Sequence, residues 1–178
     1  MDVKGLFEEN IRTDNIRLHC IEVEAVMAEL AKEFGGDDGW SVAGLLHDLD
    51  FEEVKDLENH GKKTVEILKK EGFPEDVVRA VASHNEAGTG VKRESKMDFA
   101  LAAADNISGL IFAYALMRKT IVGMDVAGLK KRLKDKRFAA NCNRDKIFDI
   151  EKAGIPLDKF LEVSIKAMQG IAGKIGLQ

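Results

Sequence analysis

The chain of 178 residues contains four histidines, His19, His47, His60 and His84. Each falls on or beside the apolar stripe of a helix-like segment. His19 lies one helical turn from both Ile16 and Val23, and His47 lies one turn after Ala43 and two after Trp40. His84 continues the line Val77, Val81, while His60 heads a segment whose same-side residues are Thr64, Ile67 and Leu68. Residues four apart share a helical face, so all four imidazoles are expected to point inward. Asp105 lies within the longest apolar stretch, Phe99 to Met117, and the helix that carries it keeps Asp105 in register with Met97, Leu101 and Phe112. A single inward histidine is ordinarily a core residue with one satisfied hydrogen bond. Four of them with an inward carboxylate demand more, because a buried charge needs a cation or hydrogen bonds to offset its desolvation. A divalent metal supplies that offset, and imidazole with carboxylate is the ligand mix of Mn, Fe, Ni, Co or Zn. His47 and Asp48 are adjacent in L-L-H-D-L-D. They can chelate one ion against a helix end, or hold two ions with the carboxylate between them.

The elements that must bring these groups together read as helices almost throughout. Apolar residues at i, i+3 and i+4 predict a long helix from Arg12 to Phe34. G-G-D-D-G breaks it, and Asp37 or Asp38 can cap the helix that carries Trp40 to His47. After the acidic connection D-F-E-E-V-K-D-L-E, Asn59 is expected to cap a helix that runs through Glu71 and stops at Gly72. Pro74 suits the first turn of a helix ending near Asn85, and Ser95 caps a long buried one ending near Arg118. Asp125, Asn143 and Pro156 open the last three. About eight helices in one domain follow, with no repeat and no sustained strand-like alternation. Two prolines, one tyrosine and few aromatics agree with an all-α chain. The stretch Phe99–Met117 could span a bilayer by length, but Asp105 and Asn106 in its middle argue for a protein interior.

At this point the residues carry a resemblance. The order His19, His47-Asp48, His60, His84, Asp105 is similar to the HD-domain superfamily of metal-dependent phosphohydrolases. R-L-H-C, A-G-L-L-H-D, N-H-G, A-V-A-S-H-N and A-A-A-D-N extend the likeness over about residues 12 to 112. The resemblance implies an all-α, single-domain HD-type helical bundle spanning residues 1–178, with C-terminal helices over 125–176 packed on the motif-bearing core. It implies that His19, His47, Asp48 and Asp105 hold one metal. His60 and His84 match the pair that holds a second ion in dinuclear members, with Asp48 bridging; with one ion they would contact phosphate or the attacking water. Asp48, His60 and His84 would then carry the catalysis, on a metal-bound water whose pKa is lowered toward neutrality. Asn85 stands where some dinuclear cyclic-nucleotide phosphodiesterases have another histidine, which argues against their substrate. Family members that cleave C–C or C–P bonds with O₂ share the same ligand pattern, so a diiron oxygenase is the rival enzyme. A metal-bound domain that binds a nucleotide without turnover is the non-enzymatic rival.

Charge and composition bound the partners. Residues 1–60 hold 16 acidic and 5 basic side chains, whereas residues 61–178 hold 15 and 22. The basic half is expected to attract a small phosphate-containing anion, with Lys63, Lys92, Arg93 and Arg144 as candidate contacts. Asp50 and Glu52 are either water-orienting acids or a solvated turn. The overall charge of −4 and the lack of aromatics within K-K-R-L-K-D-K-R argue against nucleic acid. Two cysteines without C-x-x-C spacing, and an N-terminus without an apolar signal core, suggest a cytoplasmic protein. Cys20 points off the His19 face. G-K-K-T fails as a P-loop, because Asp56 stands where its first glycine belongs. Leu161, Ile165 and Met168 form either a core face or a contact for a second copy of the chain.

Overall fold

In a computed structural model, residues 1–54 and 56–177 are described; Lys55 of the acidic connection and Gln178 lie outside them. The described residues form helices α1 (Val3–Asn10), α2 (Asp14–Phe34), α3 (Gly39–Leu46), α4 (Lys62–Lys70) and α5 (Glu75–His84). They continue with the short α6 (Glu86–Thr89), then α7 (Lys96–Arg118), α8 (Val126–Lys134) and α9 (Arg144–Phe148). A 3₁₀ turn over Asp149–Ala153 leads into α10 (Leu157–Gly170). No strand occurs among the described residues.

The centre is α7. Ser95 opens it with a capping box, its hydroxyl accepting from the Asp98 amide at 3.1 Å while the Asp98 carboxylate accepts from the Ser95 amide at 3.0 Å. Apolar residues lie all round this helix, and α2, α3, α5, α8, α9 and α10 pack against it. It is long and apolar enough to cross a membrane, but 61% of that stretch is buried within the protein. Met97, Ala100, Leu101, Ala104, Ile107, Leu110 and Ile111 all lie in the core.

Helix α2 buries Val23, Val26, Met27 and Leu30 and ends at Gly35, whose φ of +75° suits glycine. Its neighbour α3 lies backbone against backbone. A Cβ on Gly44 would stand 2.9 Å from both the Val23 carbonyl oxygen and the Glu24 Cα. Only glycine lets the two helices approach so closely, and His47 is the residue that ends α3. The sequence reading passes over α1, which Asp2 caps through the Gly5 amide at 2.8 Å. Phe7 of α1 and the following Ile11 are buried.

One expectation is corrected, and one pair of alternatives is decided. The helix predicted from Asn59 starts at Lys62, after Gly61 in the left-handed region at φ +91°. Asn59–Gly61 forms a turn that presents His60. The stripe Leu161, Ile165 and Met168 is buried in the core, with α10 packed on α2, α7 and α8, so it is no contact for a second copy. The C-terminal helices thus complete the same core as the motif-bearing ones. Gly44→Val should destabilise the chain by about 1–3 kcal/mol through overpacking that backbone cannot relieve. A lowered urea midpoint measures it.

Candidate metal centre

Every histidine reaches the centre from a different element, and each is aimed by its own backbone. His47 ends α3 and directs Nδ1 at the Gly44 carbonyl, 2.8 Å away. His84 ends α5 and directs Nδ1 at the Val81 carbonyl, at 2.5 Å. These bonds place the proton on Nδ1 and leave Nε2 with a free lone pair. His60 uses a carboxylate for the same purpose, its Nδ1 lying 2.8 Å from Asp50 Oδ1. Asp50 is wholly buried, and its other oxygen accepts from the amides of Gly61 (2.8 Å), Lys63 (3.1 Å) and Thr64 (3.3 Å). Asp50 therefore caps α4 from outside the helix, where the helix dipole favours negative charge.

The four Nε2 atoms converge on two carboxylates. Asp48 Oδ1 lies 3.1 Å from His60 Nε2, 3.2 Å from His47 Nε2 and 3.6 Å from His84 Nε2. Asp48 Oδ2 faces His19 Nε2 at 3.8 Å, and Asp105 Oδ1 faces the same nitrogen at 3.2 Å. His60 and His84 hold their Nε2 atoms 3.0 Å apart. Two lone pairs at that distance repel unless a proton or a metal ion stands with them. His47 Nε2 is buried without any hydrogen-bond partner, an orphan that a cation would satisfy. Two overlapping ligand sets result, His19–His47–Asp48 and Asp48–His60–His84, with ligand atoms within 4.8 Å of one another in each. The residues present fit a divalent metal, and Asp48 belongs to both sets.

His47, Asp48, His60 and His84 are buried, whereas the side chains of His19 and Asp105 keep 26% and 22% of their surface exposed. Those two open onto a cavity of about 750 Å³. Phe51 and Leu57 give its rim an apolar side, and Phe51 sets its ring against His60 at 5.2 Å. Asn106 braces the floor. Its amide nitrogen donates to Asp105 Oδ2 at 3.1 Å, and its oxygen accepts from the Asn143 amide at 2.7 Å.

Protons fill the metal-free cluster unevenly. Burial opposes a charge on His19, but the hydrogen bond and negative charge of Asp105, with Asp48 behind, lift it to about 9. Burial also opposes a charge on His60, yet its bonds to Asp48 and Asp50 lift it to about 10. Burial dominates at fully enclosed His47 and pushes it down to about 4. Burial works against both acidic charges too. The surrounding imidazoles, His47 foremost, nonetheless keep Asp48 well below the usual carboxylate range, and His19 holds Asp105 at about 2.

The basic candidates fare differently from the histidines and aspartates. Arg93 lines the cavity but sits between Glu86 (3.6 Å) and Asp149 (3.5 Å). Lys63, Lys92 and Arg144 do not line it. Lys63 pairs with Glu53, and Lys92 stands on the exposed side of Glu86 at 3.6 Å. Arg144 turns its guanidinium onto the backbone carbonyls of Asp135, Phe138, Ala139 and Cys142. Asp50 is no solvated turn, and its work is to aim His60. Glu52 leaves water-orienting aside and accepts from the Arg12 amide at 2.8 Å and from the Thr13 amide. Cys20 is buried, and burial raises its thiol pKa. The sequence reading misses Lys146, a cavity residue whose position depends on a folded loop.

Comparison with known proteins agrees with this geometry. The model of the HD domain matches residues 17–110. Ribonuclease Y of Oleidesulfovibrio alaskensis is 32% identical over 99 residues, 54% of this chain and 18% of the relative. Ribonuclease Y of Lactobacillus acidophilus is 36% identical over 96 residues, 53% and 17% of the two chains. The chain thus spans less than a fifth of the length of these relatives. No solved structure matches it significantly.

The histidine values carry a pH signature. His19 and His60 bind protons more tightly folded than at the ordinary 6.5, so the stability they give is full below 6.5. It is lost as pH rises toward 9 and 10. His47 binds more weakly folded, so its contribution is present above 6.5 and lost as pH falls toward 4. Urea midpoints of chelator-treated protein should therefore decline on the alkaline side of pH 6.5, with buried Glu22, raised to about 8, adding to the loss. Metal should lessen that decline, and its addition at pH 7.5 should release protons to a pH indicator.

Proposed function

The chain belongs to the HD-domain superfamily of metal-dependent phosphohydrolases, and on that premise we propose that it hydrolyses a small phosphate ester by attack of water at a two-ion centre. The carrying observation is the convergence of four imidazole nitrogens on Asp48 and Asp105 at the floor of an open cavity. His19, His47, Asp48 and Asp105 would hold one ion, and Asp48, His60 and His84 the other. When bound, such an ion lowers the pKa of its water ligand and polarises a phosphoryl oxygen.

The protein's own residues do the rest. Asp48 would serve both ligand sets, its Oδ1 facing His47, His60 and His84 and its Oδ2 facing His19. The carbonyls of Gly44 and Val81 and the carboxylate of Asp50 keep three imidazoles in the ligating tautomer, so little reorganisation remains on binding. His19 and Asp105, the partly open pair, form the edge at which substrate meets the centre. Phe51 and Leu57 supply an apolar ledge for the organic part of an ester, while the cavity volume suits a mono- or dinucleotide-sized molecule. The relatives are named ribonucleases, so an RNA phosphodiester stands among the candidate substrates.

Elemental analysis with an activity panel tests the reading. Two Mn²⁺, Ni²⁺, Co²⁺ or Zn²⁺ ions per chain, with turnover of p-nitrophenyl phosphate, bis-p-nitrophenyl phosphate, nucleotides or an RNA oligonucleotide, are expected. Asp48→Ala should lose both metal and turnover, whereas Lys130→Ala, which removes only an ion pair with Asp158, should keep both. Two irons per chain with an O₂-dependent absorbance change and no ester turnover would favour an oxygenase instead.

A further inference from the structure

Beyond the matched residues 17–110, a lysine comes back to the centre. Lys146 lies in α9, far along the chain, yet its Nζ donates to the main-chain carbonyl of the ligand residue His84 at 2.6 Å. It lines the cavity.

Its placement is built. The Arg144 guanidinium gathers carbonyls from the preceding loop, including that of Ala139, which holds φ +44° without being glycine. Asn143 then caps α9, its side-chain oxygen accepting from the amides of Asp145 (3.0 Å) and Lys146 (3.2 Å). The Asn143 amide in turn donates to Asn106, neighbour of Asp105. The lysine is therefore delivered by a loop tied to the ligand shelf.

The charges around it explain what it is for. Asp149 is engaged by Lys152 at 2.7 Å and by Arg93, and Glu86 faces Arg93 and Lys92. Among the described residues no carboxylate pairs with Lys146; besides Glu86, which Arg93 and Lys92 already face, the acids whose fields reach it are Asp105 and Asp48. Both of those are consumed when a dication binds. An ammonium with one donor tied and its counter-charge withdrawn is suited to receive an anion.

We propose that Lys146 is the substrate anchor of this site: its ammonium, hung from the His84 carbonyl, binds a non-bridging oxygen of the substrate phosphate. The proposal rests on the phosphohydrolase reading and assigns the phosphate contact to Lys146, not to Lys63, Lys92, Arg93 or Arg144.

Calorimetric titration of the manganese-loaded full chain with inorganic phosphate tests it, with manganese counted per chain. Lys146→Gln should keep its manganese and weaken phosphate binding by about tenfold to a hundredfold, the scale of one charge-assisted hydrogen bond. Lys146→Arg should recover most of that affinity. The KM for p-nitrophenyl phosphate should rise in the same proportion, with kcat changed less. Should Lys146→Gln fail to fold, wild-type protein decides: phosphate must slow acetylation of Lys146 by acetic anhydride, read by peptide mass. Unchanged phosphate affinity in Lys146→Gln at equal manganese overturns the proposal, as does unslowed acetylation or a wild type that binds no phosphate. Lys146-dependent phosphate binding without turnover of any ester sinks the hydrolase reading alone.

Discussion

A carboxylate enclosed among imidazoles governs this protein. Asp48 sits in the interior with three histidine nitrogens within 3.6 Å of one oxygen and a fourth at 3.8 Å from the other. Taking that group from water costs several kcal/mol unless it is paired, and the imidazoles can pair with it only when they carry protons or share a cation. The bundle therefore holds an electrostatic problem at its heart that helix packing alone does not solve. Its architecture reads as the answer. The approach of α3 to α2 at Gly44 fixes His47, the Asn59–Gly61 turn turns His60 inward, and α7 supplies Asp105 from the opposite wall.

Much of this was legible in the sequence. Inward stripes on α2, α3 and α5 disclosed the histidines because helical periodicity maps spacing directly onto direction. Caps at Ser95, Asp125 and Asn143 were equally readable, since a capping side chain acts on amides two or three residues away. What escaped the reading depends on contacts remote in the chain. Asp50 looked like part of an acidic turn, yet its partners are ten and more residues distant. Basic residues were harder still, because long flexible side chains choose whichever carboxylate or carbonyl the fold brings near. Lys63 found Glu53 and Arg144 found four carbonyls, while Lys146 was carried to His84 across 62 positions.

The C-terminal third is more than a cover for the core. It closes the apolar surface of α2 and α7 through α10, and through α9 it adds polar groups to the wall of the cavity. The cavity thus has two parts, a shelf of histidines and carboxylates and a polar wall. The shelf is made by residues within the matched segment 17–110, and the wall by Asn141, Asn143 and Lys146 beyond it.

The double engagement of Asp50 ties local structure to chemistry. One oxygen starts a helix and the other steers an imidazole, so neither task can drift independently. A chain that frays at the beginning of α4 mis-aims His60, and a chain with His60 astray loosens the first turn of α4. The start of α4 and the direction of the His60 ring are in this way one structural unit: a copy with a defective α4 loses the alignment of His60 with His84.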